Sequence, residues 1–259
     1  MRTLDAILPA GGTAGPELAK AAGTPIKALI PIEGTPILER TLQAVKQSQT
    51  ARRIALIGSQ TLLDHPAAAL ADFKLKEAAT GPENLYNGLN ALLAQPDPPE
   101  AALIVAVDQP YLDAKMLKAF VDACPQKDVC VPLIRESEFR TRFPGAAATF
   151  AKLKDDSWTT GGVFILNCQA LIKAKPHIEK VFENRKSKLG MARLLGLSFV
   201  FKWLTNRLTL SDVEAKILQL LGASGAAVTG CAPELAFDID DIDDLQHALQ
   251  NPPKHEVSA

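Results

Sequence analysis

The sequence predicts an α/β fold built on an open, mostly parallel sheet, and three observations predict it. Strand and helix signals alternate through the first half of the chain. Residues 102–107, ALIVAV, are apolar at every position, which marks a central strand covered on both faces. A Gly-rich turn, Pro9-Ala10-Gly11-Gly12, directly follows the first apolar run, at the strand end where ligands sit in such sheets.

The elements follow in order. Residues 6–8 form a strand, 37–45 a helix with apolar side chains at helical spacing, and 53–58 a second strand. A helix spans 84–93, with Leu85, Leu89, Leu92 and Leu93 on one side. The central strand 102–107 leads to a helix at 114–123 and a strand at 129–134. Strands are expected at 145–150 and 162–166. From 177 to about 221 the pattern is helical and basic, with Lys180, Arg185, Lys186, Lys188, Arg193, Lys202 and Arg207. Its last helix is capped at Ser211, with Glu214 three residues on. Short strands at 226–228 and 235–239 and a helix at 241–249 complete the pattern. The expected organisation is one domain over 1–250, with a helical basic insertion at about 177–221 and a disordered tail at 251–259.

Bulk properties exclude several function classes. A net charge of −1 gives no reason to expect a polyanionic partner, and 5% aromatic content offers few platforms for stacking bases. Nucleic acid is therefore not an expected partner. The cysteines, Cys124, Cys130, Cys168 and Cys231, form no C-x-x-C pair, so zinc knuckles and redox dithiols are excluded in favour of free thiols in a reducing compartment. The histidines show no metal-ligand spacing. No stretch reaches transmembrane length and the first residues do not read as a signal peptide, so the expected location is the cytoplasm. Residues 196–204, GLSFVFKWL, are apolar and flanked by cations; a core helix with a solvated basic face is favoured there over membrane contact through 180–207.

The residues that can do chemistry are few. The Gly loop is neither a P-loop nor a dinucleotide fingerprint, but its bare backbone can approach an anion, and Lys27 precedes the next apolar run at a place suited to a phosphate. A turn at Glu33-Gly34-Thr35-Pro36 then opens the 37–45 helix. Asp108 closes the central strand, where a buried carboxylate needs a partner; Mg²⁺ is favoured over a simple cap of the turn into the next helix. Gly161-Gly162 serve either a bulge or turn, or close backbone approach to an acceptor. Asp238 and Asp240, two apart on an expected strand, share one face and could supply a second metal carboxylate. Asp241, Asp243 and Asp244 are simplest as a helix cap.

In this order the pieces resemble the MobA-like nucleotidyltransferases of the GT-A-like superfamily. The matching motifs are LPAGG at 8–12, KALIPIEGTPILERTL at 27–42, ENLYNGLNAL at 83–92, VDQPYL at 107–112, TTGGVFIL at 159–166 and FDIDDIDDL at 237–245. The resemblance implies a three-layer α/β/α, Rossmann-like fold of the nucleotide-diphospho-sugar transferase type. It implies an enzyme that moves NMP from an NTP, GTP or CTP, to a small phosphorylated acceptor and releases pyrophosphate, with Mg²⁺ or Mn²⁺ as cofactor. Residue by residue, it places Leu8, Ala10, Gly11 and Gly12 at the nucleotide, Lys27 at its phosphates, and Asn84 and Gly88 along the base or ribose. Asp108 becomes the metal ligand, completed by Asp238 or Asp240. One departure stands out: no arginine lies between Gly12 and Lys27, where Lys20 is the other cation. That departure keeps a catalytically weak nucleotide-binding or regulatory protein as an alternative. A GT-A glycosyltransferase ranks lower, because Asp108-Gln109-Pro110 is not an Asp-x-Asp motif.

Overall fold

The computed structural model describes residues 3–184 and 187–253. In chain order its first half comprises β1 (Leu4–Pro9), α1 (Pro16–Ala22), β2 (Pro31–Ile32), β3 (Thr35–Pro36), α2 (Ile37–Ser48), β4 (Ile54–Gly58), α3 (Gln60–Leu63), β5 (Phe73–Lys76), α4 (Gly81–Leu93) and β6 (Ala101–Val105). The second half comprises α5 (Ala114–Ala123), β7 (Val129–Arg135), α6 (Glu136–Arg142), β8 (Ala151–Lys152), β9 (Ser157–Thr160) and β10 (Val163–Asn167). A helical run follows, α7 (Cys168–Asn184), α8 (Lys188–Leu195), α9 (Leu197–Leu204) and α10 (Leu210–Leu221), then β11 (Gly225–Val228) and α11 (Ile242–Gln250).

The main sheet runs β5-β4-β1-β6-β10-β7-β9-β8, with β11 beside β7. Pairing is parallel from β5 to β6 and between β7 and β11, while β10 and the β8–β9 pair enter antiparallel. The strand predicted to be central is central: every residue of β6 is buried between β1 and β10. Side chains alternate across the sheet as the pleat requires. Ala6, Leu8, Leu56 and Leu103 join α2, α5 and α11 in one core, whereas Ile7, Ile57, Ala102 and Ile104 pack with Tyr86 and Leu89 of α4 and Leu171 of α7 in the other. The result is the expected three-layer α/β/α arrangement, with the carboxyl ends of β1, β4 and β6 on one rim.

Several expectations are corrected. The segment between Gly12 and Lys27 is not all loop: Pro16 starts α1, and Gly23 ends it in the left-handed conformation (φ 73°). Residues 145–150 are not a strand; three consecutive alanines have little β propensity, and pairing begins only at β8. The α10 cap is Thr209 rather than Ser211, since Thr209 and Asp212 exchange both bonds of a capping box. Residues 235–239 form no strand: Pro233 starts a 3₁₀ turn to Ala236. The burial alternation nevertheless survives, with Phe237 and Ile239 buried and Asp238 and Asp240 exposed. The helical run begins at Cys168, ahead of the expected 177. No described residue of α9 is buried, so it is not a core helix. Arg185, Lys186 and residues 254–259 of the expected tail lie outside the described residues, while Asn251 is held by the Tyr111 hydroxyl, which donates to its carbonyl at 2.8 Å. All four cysteines are free thiols. Among the described residues no helix is long and apolar enough to cross a membrane.

At the opposite end of β1 lies a charge cluster that the sequence did not announce. Asp5 is fully buried and accepts from both Arg52 (3.0 Å) and Arg53 (2.6 Å), which also grip Asp97. A carboxylate in that position tolerates burial only while its partners stay. The double variant Arg52→Ala/Arg53→Ala is expected to lose about 3–5 kcal/mol of stability in urea denaturation. Arg52→Ala alone should cost clearly less, because Arg53 remains bonded to Asp5; equal losses would contradict this account.

Candidate active site

The site forms where two distant segments meet at the rim. The end of β6 delivers Asp108, and the chain before α11 delivers Asp238 and Asp240. A backbone hydrogen bond from the Ile239 N–H to the Asp108 carbonyl, 3.0 Å, fixes one segment against the other. Behind it, the carbonyl of Leu235 accepts from the Gly162 N–H at 2.8 Å and from the buried Gln109 amide. Phe237 is set in an aromatic cluster, 5.0 Å from the ring of Tyr111 and 4.7 Å from that of Phe143. The VDQPYL and FDIDDIDDL stretches thus act as one unit: Gln109 and Tyr111 anchor the segment that carries the second and third carboxylates.

One carboxylate oxygen from each of Asp108, Asp238 and Asp240 lies within 4.8 Å of the others. Although part of its surface reaches solvent, Asp238 is desolvated by the protein crowded around the cleft, and this, followed by the like charges of Asp108 and Asp240, pushes it up to about 6. Asp108 is raised too, by burial foremost and by Asp240, with Lys27 acting against the shift. Lys27 starts a 3₁₀ turn, and its ammonium pairs with Asp240. Asp241 caps α11, and the Asp244 carboxylate accepts from the Asp240 and Asp241 N–H groups, so these two acids serve the helix terminus as expected. Three clustered carboxylates, two of them with a raised pKa, form an all-oxygen donor set that suits a hard divalent cation such as Mg²⁺.

The Gly loop lies on the same rim. The N–H groups of Gly11 and Gly12 carry no hydrogen bond among the described residues, and both glycines are exposed. A Cβ on Gly12 would stand 3.5 Å from the Lys27 side chain, which places loop and lysine together. Ala10 differs from the expectation: its N–H donates to the Ile57 carbonyl at 2.7 Å and is not available to a nucleotide. Leu8 is fully buried in β1. Asn84 stands beside Gly11 and accepts from the Ala78 N–H at 2.6 Å, shaping the loop opposite the glycines. Gly88 faces the sheet: a Cβ there would approach Ile7 to 2.7 Å and Ile57 to 3.0 Å, so close packing of α4 explains it. Lys20 is exposed in the last turn of α1.

On the other side of Asp108 opens a cleft of about 860 Å³, walled by Gly161, Gly162, Thr159, Trp158 and Trp203 with the three carboxylates. Both glycines line it, but a Cβ on Gly161 would meet the Leu235 carbonyl at 2.7 Å, and one on Gly162 the Gln109 amide at 2.8 Å. Their smallness admits the 233–236 turn. Gln109, Trp158 and Trp203 were missed as site residues. Trp158 immediately precedes TTGG, which was a usable signal; Trp203 comes from α9, and nothing local in the sequence places it there.

The pKa of Asp238 has a consequence for stability in metal-free protein. Because its folded value lies above the usual carboxylate value of 3.8, protonation favours the folded state. That contribution is present at acid pH and is lost as pH rises through about 6. Asp238→Asn should therefore melt above wild type at about pH 7 in EDTA, with the gap narrowing as pH falls through about 6 and closing only near the ordinary carboxylate value of 3.8. A gap that does not change with pH would refute the assignment.

A family model described as a MobA-like NTP transferase domain matches residues 6–195. No curated protein matches the sequence. Among solved structures, a hypothetical transferase from Thermus thermophilus is 28% identical with a TM-score of 0.83, covering 95% of this chain and 100% of its own. A nucleotidyl transferase from Methanothermobacter is 14% identical (TM-score 0.57, covering 96% of each chain), and 4-diphosphocytidyl-2C-methyl-D-erythritol synthase from Anaerococcus prevotii is 13% identical (TM-score 0.59, covering 96% and 97%). These last two share the fold. With the family model spanning most of the chain over this sheet and rim, the chain belongs to the MobA-like NTP transferase family and is a nucleotidyltransferase.

Proposed function

We propose that this enzyme transfers NMP from an NTP, GTP or CTP, to a phosphate-bearing acceptor in a Mg²⁺-dependent reaction, with Mn²⁺ able to replace Mg²⁺. The observation that carries the reading is the cluster of Asp108, Asp238 and Asp240, with Lys27 paired to Asp240, beside the unpaired Gly11 and Gly12 amides. The triphosphate lies along the Gly loop, and the acceptor occupies the cleft on the far side of Asp108. An oxygen of the acceptor phosphate forms a bond to the α-phosphorus. The bond from that phosphorus to the α–β bridging oxygen breaks, and pyrophosphate leaves with the electron pair.

An ionised acceptor phosphate is already nucleophilic, so the protein needs no histidine or serine base. Its work is to position two anions and offset their repulsion. The Gly11 and Gly12 N–H groups point partial positive charge at the phosphates. Lys27 supplies a full charge, held in place by Asp240. Asp108, Asp238 and Asp240 would hold the divalent cation, which when bound neutralises charge on the phosphate oxygens. Gly161 and Gly162 serve the acceptor through the cleft wall they allow to form.

The absence of an arginine between Gly12 and Lys27 favours a second reading, nucleotide binding with little turnover. Pyrophosphate release across four NTPs with Mg²⁺ and short phosphate acceptors separates the two. Turnover is expected, with Asp108→Asn and Lys27→Ala each reducing it on the order of 10²–10³-fold. Full transfer by either variant at matched Mg²⁺ would overturn the mechanism, and NTP-dependent thermal stabilisation without any release would favour the binding protein.

A further inference from the structure

We propose that the phosphate-bearing acceptor also carries a protonated amine, as an amino-alcohol phosphate does, and that its ammonium group sits in the cleft beside Asp108, against Trp203 and the carboxylates at the start of α11. The inference rests on the nucleotidyl-transfer reading and names the class of acceptor within it. It begins from the charge of the cleft. Among the described residues the charged side chains that line it are Asp108, Asp238, Asp240, Asp241 and Asp244, and no lysine, arginine or histidine joins them. The cations nearest its walls are engaged elsewhere. Lys27 pairs with Asp240. Arg135 and Arg140 lie over the Trp158 and Phe150 rings, 5.4 and 5.1 Å from their centroids, and pair with Asp156 and Glu136. A divalent cation on Asp108, Asp238 and Asp240 offsets only part of the charge. Asp241 and Asp244 accept from backbone N–H groups, partners that carry no full charge, so the cleft stays negative around the cation.

A cleft with low-dielectric walls concentrates the potential of the charges that line it. An acceptor that is only a phosphate enters against that field. One that balances its phosphate with an ammonium does not: the phosphate faces the metal-binding triad and the ammonium faces the remaining carboxylates. Two further features of the walls fit such a cation. Trp158 and Trp203 give the cleft indole surface, and Trp203 is 51% exposed; an indole face attracts an ammonium, and its apolar area packs a short carbon stem. Gln109 also lines the cleft and is 1% exposed; its amide nitrogen donates to the Leu235 carbonyl, while its Oε1 has no partner among the described residues. An oxygen left in that way needs an N–H or O–H donor, and a primary ammonium brings three. The nitrogen is not the nucleophile, because a protonated amine has no lone pair. The phosphate oxygen forms the bond to the α-phosphorus, pyrophosphate leaves with the electron pair, and the amine stays protonated in the product. Trp203 comes from α9, beyond the residues that the family model matches, so this part of the selectivity belongs to the added helices.

The chain has two tryptophans and both line the cleft, so intrinsic fluorescence reads its occupancy. With Mg²⁺ and no nucleotide, 2-aminoethyl phosphate is compared with propyl phosphate, in which a methyl group takes the place of the ammonium. The amine is expected to bind at least about tenfold more tightly at low salt, with the ratio shrinking in about 1 M salt. Asp241→Asn, which keeps a side chain able to cap α11, and Trp203→Leu should each lower that ratio several-fold. Equal affinity for the two phosphates in wild type, which needs no variant to fold, would overturn the proposal. So would binding of neither, or a ratio that survives in both variants. Pyrophosphate release supported equally by the two phosphates would leave nucleotidyl transfer standing and discard this acceptor class. A retained tenfold ratio in binding, with no release from any NTP, would support the ammonium site and count against transfer instead.

Discussion

The site depends on holding three carboxylates together against their own repulsion, and two backbone carbonyls make that arrangement persist. The Asp108 carbonyl accepts from Ile239, and the Leu235 carbonyl accepts from Gly162 and Gln109. These bonds join the end of β6 and the start of β10 to a segment far along the chain. Phe237, seated among Tyr111, Phe143 and Phe139, adds apolar burial to the same junction. The electrostatic cost of gathering Asp108, Asp238 and Asp240 is thus met by packing and hydrogen bonding just behind them. Lys27 reduces it further through Asp240. A cluster of this kind stores affinity for a cation, because a cation relieves a repulsion that the fold maintains.

That logic also accounts for what was legible in the sequence. Residues 102–107 could be read as a buried central strand because a strand apolar on both faces has to be covered on both, and Asp108 at its end followed from that position. The helices α2, α4 and α5 were legible from spacing, and the β2–β3 turn from Glu33-Gly34, both of which adopt positive φ. The pairing of Asp238 with Asp108 rests on Ile239, Leu235 and Gln109, residues whose role is invisible until the chain closes. The strand expected at 235–239 failed because Pro233 starts a 3₁₀ turn, yet alternation alone still put both acids on one side. Glycine was the least legible residue. Gly11 and Gly12 have exposed, unpaired amides, whereas Gly88 and Gly161 are small because Ile7 and Leu235 press against them. Sequence treats these four alike; the structure separates them by what the missing Cβ would meet, the Lys27 stem at Gly12, the flexible carboxylate end of Glu77 at Gly11, and the packed core or a backbone carbonyl at Gly88 and Gly161.

The helical run changes how the acceptor side is understood. The Gly loop, Lys27 and Asp108 occupy the part of the molecule that the family model covers, and the match runs on only to the end of α8. Beyond that point α9 sends Trp203 into the cleft and Phe199 into an apolar groove between α7, α8, α9 and α10, while α10 closes the groove with Ile217 and Leu221. The cleft and the apolar groove are separate, for no described residue lines both, and Phe199 and Trp158 meet in the apolar cluster that stands between them. The acidic rim is thus built by the sheet and the chain before α11, whereas one wall of the cleft is built by a helix beyond the family match.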